Sequence, residues 1–263
     1  MSEPVQHAVS RDGGVATITF DRPQAYNALT ADLIESLIET LGALERDAAV
    51  RALVITGAGK AFCAGQALDD PRVMNADVAT DIAATVERRY NPLILKLLSI
   101  EKPIVAAVNG VAAGAGMGIA CACDFRIVAE TASFTTAFVK IGLVPDSGIS
   151  FTLPRLVGYA RALELCLLSE KVDARRADAL GLCTKVVPAE ACLSEAQSLA
   201  AALAQGPRSI GLIKRELLRN GLGSAREALA YEAEMQAIAG RTADFAEGVD
   251  AFSTKRAPRF EGR

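Results

Sequence analysis

Short apolar runs alternate with helical patterns along the first half of the chain. The β-branched runs predict buried strands, and they occupy residues 15–20, 52–56, 104–108 and 125–129. Leucines recur at helical spacing from Ala31 to about Arg46, and Thr30 precedes them where an N-cap hydroxyl is expected. A second helix is predicted from about Thr80 to Ser99. Strands alternating with helices indicate an α/β core.

The second half of the chain is richer in helix. Helical patterns cover residues 163–168, 174–180, 194–205, 207–220 and 224–239. A short strand is predicted at 185–188. We therefore expect a core over residues 1–193 and a helical C-terminal subdomain over 194–263. The helices at 194–204 and 225–239 are alanine-rich and apolar on more than one side, so they either form an oligomer interface or cap the core.

Composition and charge exclude several classes of function. The chain has 263 residues and a formal net charge of −3, so it lacks the excess of positive charge that is typical of nucleic-acid-binding proteins. We expect neither a secretory signal nor a membrane-spanning helix, because the N-terminal residues lack an apolar core and the long apolar runs are interrupted by charges or glycines. The six cysteines are expected to be buried, reduced thiols rather than metal ligands, in a cytoplasmic protein without a metal.

A glycine-alanine segment, Val111 to Gly118, follows the strand at 104–108. Small side chains let another molecule approach the backbone, and a helix starting there would present unpaired N–H groups and the positive end of its dipole. We expect a negative or polarised oxygen to dock at this turn.

Three familiar kinds of site fit the sequence poorly. The glycine spacing at 114–118 is not that of a dinucleotide-binding turn, and no acidic residue follows about twenty positions on, where Phe138 stands. Gly57-Ala-Gly-Lys60 lacks the remaining residues of a phosphate-binding loop. A serine hydrolase triad would need His7, the sole histidine, which we expect to lie upstream of all folded structure.

Two further loops carry candidate chemistry. Cys63-Ala-Gly65-Gln66 follows a strand as Gly114-Ala115 does, and two such turns presenting amides to one point would form an oxyanion hole. Asp146 lies in Pro-Asp-Ser-Gly, a sequence typical of a β-turn, so taken alone it is most simply a turn residue.

The chain resembles the enoyl-CoA hydratase/isomerase (crotonase) superfamily. The resemblance rests on segments distributed over nearly the whole chain, at residues 21–29, 62–68, 102–116, 142–146 and 247–256. It implies a spiral of ββα units, a C-terminal helical region that builds homotrimers or hexamers, and an acyl-CoA thioester substrate. Coenzyme A would enter as part of that substrate, with no separate cofactor.

Carried onto matching positions, the resemblance gives each candidate residue a role. The backbone N–H groups of Gln66 and Ala115 would hold the thioester oxygen. The adenine and pantetheine would lie along Ala25, Ala64, Gln66 and Leu68. Phe252 and Lys255 would reach the coenzyme A of a neighbouring subunit. Gln24 stands where many relatives place a lysine, which removes one phosphate contact.

Departures from the family pattern favour an isomerase. The two positions where hydratases of this family carry catalytic glutamates fall on Gly118 and Phe138. One acid remains, Asp146, at the position that carries the carboxylate in certain isomerases and in an aryl-CoA dehalogenase. The dehalogenase also needs a tryptophan and an active-site histidine, and this chain has no Trp and a single His.

We therefore expect an acyl-CoA isomerase with Asp146 as the base and Phe138 in the acyl pocket. It would shift a 3-enoyl double bond to position 2 or convert a ring epoxide to an oxepin. The second reaction is included because the chain resembles the subgroup acting in phenylacetate degradation at residues 86–93, 108–116, 138–146 and 239–249. The alternatives are an enoyl-CoA hydratase and a non-catalytic acyl-CoA binding protein.

Overall fold

A computed structural model describes residues 6–68, 70, 82–221 and 223–263. Its strands form a six-stranded sheet in the order β1-β2-β3-β5-β7-β10 and a four-stranded sheet in the order β4-β6-β8-β9. The strands are β1 (His7–Asp12), β2 (Val15–Phe20), β3 (Ala52–Gly57), β4 (Ala61–Cys63), β5 (Ile104–Val108), β6 (Val111–Ala113), β7 (Phe125–Ala129), β8 (Ser133–Thr135), β9 (Val172–Asp173) and β10 (Lys185–Val187).

Eleven α-helices are found in the described residues. They are α1 (Ala31–Arg46), α2 (Ile82–Thr85), α3 (Asn91–Ser99), α4 (Ala115–Ala122), α5 (Ile149–Val157), α6 (Tyr159–Leu168), α7 (Ala174–Ala179), α8 (Cys192–Ala204), α9 (Ser209–Asn220), α10 (Ala225–Ala239) and α11 (Ala243–Thr254). A π turn at Val86–Tyr90 joins α2 to α3. The predicted start of this helix near Thr80 lies outside the described residues. No helix among those described combines the length and apolar character needed to cross a membrane.

Pairs of strands followed by helices repeat along the chain. The order is β1-β2-α1, then β3-β4 with α2 and α3, then β5-β6-α4, then β7-β8 with α5 and α6. From the second unit onward, the first strand of each pair joins the large sheet and the second joins the small sheet. The chain therefore advances as a spiral of ββα units, as expected.

The large sheet contains the strands predicted from apolar runs. β2, β3, β5, β7 and β10 pair in parallel, and every residue of β3 and β5 is buried. Burial on both faces explains why these strands are continuous apolar runs. β1 pairs antiparallel with β2 and begins at His7, so the expectation that His7 lies upstream of folded structure is wrong. His7 is buried, and its Nε2 atom lies 2.9 Å from Thr40 Oγ1.

The alanine-rich helix α8 covers the large sheet. Ala196 and Ala200 are fully buried in the main core, so this helix caps the core, one of the two roles its pattern allowed. The helix begins at Cys192, so the expected division at 193/194 falls within its first turn, and that division stays a prediction.

The C-terminal helices form a smaller packing unit. Leu212 of α9 packs with Tyr231 and Met235 of α10 in a second apolar cluster. The buried Asp244 carboxylate of α11 accepts hydrogen bonds from the backbone N–H groups of Arg208, Glu261 and Gly262 at 2.7–2.8 Å. These contacts fix the last residues of the chain against α9 and α11.

Candidate active site

Glycines bring the two predicted oxyanion loops into contact. Gly65 has φ +94°, and a Cβ atom there would lie 2.9 Å from the Ala113 carbonyl oxygen and 3.5 Å from the Ala115 amide nitrogen. Only a residue without a side chain allows this approach. Gln66 follows Gly65 directly, so the loop that carries Gln66 approaches the start of α4 at Gly65.

Ala115 begins a helix, as the glycine-alanine segment indicated. It is the first residue of α4, where an amide has no intrahelical acceptor, and the preceding Gly114 has φ 51° and ψ −124°. Gly116 packs on β4, since a Cβ atom at this position would lie 2.1 Å from the Cys63 carbonyl oxygen. The small residues therefore fix the start of α4 against the loop that carries Gln66.

The loop around Ala25 runs alongside the Ala64–Leu68 loop. The Ala64 amide donates to the Tyr26 carbonyl oxygen at 3.0 Å, and Leu29 exchanges hydrogen bonds with Gly65 and Ala67. Ala25 and Ala64 are half-buried, whereas Leu68 is exposed. The residues expected along the adenine and pantetheine thus lie on two loops that are hydrogen-bonded to each other, and their contact with coenzyme A stays a prediction.

Two asparagines hold these loops in place, and sequence reasoning missed both. The buried Asn27 donates to the carbonyl oxygens of Ala58 and Ala61 at 2.9 and 2.8 Å. Asn109 donates to the Gly57 carbonyl oxygen at 2.8 Å and accepts from the Gly57 amide at 3.2 Å. Asn109 precedes Gly110, a pair typical of a turn, and nothing in the sequence indicated that either asparagine bonds to a second loop.

Asp146 lies in a tight turn with a left-handed backbone. The Ile149 amide donates to the Asp146 carbonyl oxygen at 3.0 Å, and the central residues Ser147 and Gly148 have φ of 50° and 74°. Ser147 Oγ donates to Asp146 Oδ1 at 2.7 Å. The residue is therefore part of a β-turn, as its sequence suggests, and the same turn presents a half-buried carboxylate.

Burial changes the chemistry of this carboxylate. Desolvation raises the pKa of Asp146, and the hydrogen bond from Ser147 lowers it by a smaller amount. A raised pKa makes the carboxylate a stronger base once it is ionised.

Tyr90 is a site residue that sequence reasoning missed. It ends the π turn between α2 and α3, it is 2% exposed, and its hydroxyl lies 3.4 Å from Gln66 Oε1. Burial raises the pKa of Tyr90 far above its usual value, and the charge of Asp146 adds to the shift. A neutral phenol therefore lies near both Gln66 and Asp146. Its sequence neighbours Arg89 and Asn91 are polar, so no apolar pattern marked it as buried.

Phe138 and the C-terminal candidates lie in different parts of the molecule. Phe138 is buried in the main core at the start of the loop that leads to Asp146. Phe252 is 87% exposed on α11, and Lys255 caps the end of that helix with φ 54°. The expected reach of Phe252 and Lys255 to a neighbouring subunit's coenzyme A stays a prediction.

This fold agrees with the comparisons to known proteins. The sequence profile of the enoyl-CoA hydratase/isomerase family matches residues 10–263, and the chain belongs to this family. It is 43% identical to the 1,2-epoxyphenylacetyl-CoA isomerase of Escherichia coli over 95% of this chain and 96% of that one. It is 41% identical to a probable enoyl-CoA hydratase of Rhodobacter capsulatus, over 95% of each chain. The crystal structure of enoyl-CoA hydratase from Bacillus anthracis, 30% identical, superposes with a TM-score of 0.92 over 98% of this chain and 100% of that one.

The comparisons confirm the crotonase fold and the family. They name both isomerases and hydratases, so the choice between the two reactions depends on the residues of this chain.

Proposed function

We propose that the protein isomerises acyl-CoA thioesters and that Asp146 moves the proton. The observation that carries the proposal is the half-buried Asp146 carboxylate, held by Ser147 at 2.7 Å, in a chain with Gly118 and Phe138 at the two hydratase positions. Neither glycine nor phenylalanine transfers a proton. A single well-placed base suffices for a proton shuttle.

The substrate carbonyl oxygen would bind between the amides of Gln66 and Ala115. A C2 proton next to a thioester becomes acidic only when the developing enolate oxygen is stabilised. Two backbone donors supply this stabilisation without reorganisation, and one donor is typically worth about 3–4 kcal/mol. The close approach of Gly65, which precedes Gln66, to Ala115 supports this role.

Asp146 would carry a proton between two carbons of the acyl chain. For a 3-enoyl thioester, the carboxylate takes the C2 proton, the double bond moves from C3–C4 to C2–C3, and the carboxylic acid returns the proton to C4. The base is regenerated and no atom is gained or lost. Conversion of a ring epoxide to an oxepin is the second reaction we propose, and its support is the isomerase relative from Escherichia coli.

The rest of the thioester would bind along the loops already described. Ala25, Ala64 and Leu68 would contact the adenine and pantetheine, Phe138 would line the acyl pocket, and coenzyme A would arrive only as part of the substrate. Phe252 and Lys255 would act on a neighbouring subunit of a homotrimer or hexamer. The exposure of Phe252 fits this assignment.

Replacing Asp146 by asparagine tests the proposal. Asp146→Asn keeps the shape of the side chain and removes the base, and we expect isomerisation of 3-enoyl-CoA and of the ring epoxide to fall on the order of 10²–10⁴-fold. Unchanged binding of a saturated acyl-CoA is the control for folding. Wild-type turnover of either substrate by the variant would refute the proposal.

The competing functions predict different products. A hydratase, the activity named for the Rhodobacter capsulatus relative, would hydrate crotonyl-CoA faster than it isomerises 3-enoyl-CoA. A non-catalytic binding protein would bind thioesters tightly without exchanging the C2 proton into deuterated water. Both assays use the same enzyme preparation.

A further inference from the structure

Gly118 packs directly against the turn that carries Asp146. A Cβ atom on Gly118 would lie 2.4 Å from the Ser147 carbonyl oxygen and 2.7 Å from Ser147 Cβ. Such distances are impossible for real atoms, and the nearest obstacle is backbone rather than a flexible side chain. The missing side chain at position 118 is therefore the space into which the turn packs.

The turn is also held from its other side. A Cβ atom on Gly148 would lie 2.7 Å from Ile94 Cγ2, and Ile149 closes the turn with a backbone hydrogen bond of 3.0 Å to Asp146. Ser147 itself is 1% exposed. A turn packed between α4 and α3 cannot move away from Gly118 without disturbing one of them.

Ser147 is held in a backbone conformation that is costly for its residue type. Its φ of 50° lies in the left-handed region, where a side chain typically costs about 1–2 kcal/mol. Strain of this kind persists where the surroundings impose it, and it is common at functional sites. Here the conformation places Ser147 Oγ 2.7 Å from Asp146 Oδ1.

We propose that the contact between Gly118 and Ser147 determines which acid this site uses. The bare position at 118 admits the left-handed turn, and the turn orients the Asp146 carboxylate through the Ser147 hydroxyl. An acidic side chain at position 118 and Asp146 in its present place exclude each other. Gly118 is thus a specificity-determining residue, and Ser147 is a positioning residue. The inference rests on the proposed role of Asp146.

The hydroxyl of Ser147 has a further consequence for proton transfer. The Ser147 hydroxyl donates to Oδ1 of the carboxylate. Among the described residues, this is the hydrogen-bond donor found for the two carboxylate oxygens. This leaves Oδ2 to take the substrate proton. Removing the hydroxyl would free the carboxylate to rotate and would leave its charge less stabilised.

Two glycine-to-alanine variants test whether the contact between Gly118 and Ser147 is needed for activity. Gly118→Ala adds one methyl group against Ser147, and we expect kcat for 3-enoyl-CoA isomerisation to fall on the order of 10²-fold, as misplacement of a catalytic group by about 1 Å can do. Gly42→Ala is the matched control, because its Cβ atom would meet only the end of the Arg46 side chain at 3.5 Å in the helix α1. A Gly118→Ala kcat within threefold of wild type overturns the proposal.

Serine variants test the positioning part without adding atoms. In Ser147→Ala the hydrogen bond that lowers the Asp146 pKa is lost, so the acid limb of the kcat–pH profile moves to higher pH. Ser147→Gly loses the same hydroxyl and suits the left-handed backbone, so it should show the same shift in a protein at least as stable. An acid limb that coincides with wild type in both variants overturns this part, even where Gly118→Ala fails to fold.

The acid substitution at position 118 tests the exclusion directly. Gly118→Glu should lose isomerisation without gaining hydration of crotonyl-CoA, because the new side chain displaces Ser147. A variant that keeps wild-type isomerisation and gains hydration would contradict the exclusion. A wild-type rate for Asp146→Asn refutes the proposed function, whereas an inactive Asp146→Asn with a fully active Gly118→Ala refutes only this inference.

Discussion

The Tyr90 hydroxyl lies 3.4 Å from Gln66 Oε1 and thus links the π turn between α2 and α3 to the predicted oxyanion loop. At this distance the hydrogen bond is long. π turns within helices are rare and occur frequently at functional sites, because the extra residue turns a side chain to a new direction. Here the turn ends on the residue whose hydroxyl reaches Gln66. We infer that Tyr90 helps to orient the loop whose amide would hold the thioester oxygen.

Tyr90→Phe removes the hydroxyl and keeps the ring. We expect kcat/KM for isomerisation to fall about 2- to 10-fold, the range for one neutral hydrogen bond. Stability should change little, since the ring stays buried. Tyr159→Phe is the control, because Tyr159 is 74% exposed. Equal kcat/KM for Tyr90→Phe and wild type would remove Tyr90 from the site.

Gly65→Ala tests the approach of the two oxyanion loops. The new Cβ atom would lie 2.9 Å from the Ala113 carbonyl oxygen at a φ of +94°, so the loops must separate. Loss of one oxyanion donor typically lowers kcat about 10²–10³-fold, and we expect an effect of that size in a steady-state assay.

Gly13→Ala separates backbone strain from collision. Gly13 also has positive φ, +50°, but an added Cβ atom there would meet nothing within 4 Å. We expect this variant to lose about 1–2 kcal/mol of stability and to keep its kcat. A similar loss of kcat in both variants would show that the Gly65 effect is one of strain alone.

The elements that could be predicted from the sequence are those whose side chains all lie in the same environment, such as strands that are buried on both faces. β3 and β5 are buried on both faces, so their apolar runs are continuous and easily found. β1 was missed because five of its six residues are exposed. β4, β6 and β8 were missed because each is three residues long and has at most one β-branched residue, whereas the equally short β10 has two valines.

Some residues of the candidate site could likewise be predicted from the sequence, and others could not. Asp146 and the glycine turns were found because their positions follow from local sequence and the family pattern. The contact of Gly118 with Ser147 joins residues far apart in the chain, and the position of Tyr90 depends on a π turn. α11 was missed as well, although its N-cap Thr242 accepts from the Phe245 amide at 3.1 Å. Such features depend on tertiary packing, which a single sequence does not display.

At neutral pH the ionised Asp146 carboxylate should lower the stability of the folded protein. Burial raises the pKa of Asp146, so its ionised form is less favourable in the folded protein than in the unfolded chain. Stability from this group is fully present below the unfolded pKa and is lost as the pH rises through the raised folded pKa. Asp146→Asn should therefore have a Tm equal to or above that of wild type at pH 7.

The difference in Tm between Asp146→Asn and wild type, measured at two pH values, tests the sign of this effect. The advantage of Asp146→Asn should shrink as the pH falls below the unfolded pKa of about 3.9, where the wild-type carboxyl is protonated in both states. Thermal unfolding at pH 7 and at low pH measures it. A lower Tm for the variant at pH 7 only would mean that Asp146 is stabilised as an anion, in conflict with its burial.

Lys255 tests the assignment of the C-terminal helix to coenzyme A. In Lys255→Ala we expect KM for the thioester to rise about 2- to 5-fold with kcat unchanged, as fits one exposed ion pair with a phosphate. The difference should diminish at high salt, because exposed charges are screened. Lys171→Ala, at another exposed lysine, is the control. A fall in kcat at constant KM would mean that Lys255 supports the fold of α11, whose end it caps, rather than the binding of coenzyme A.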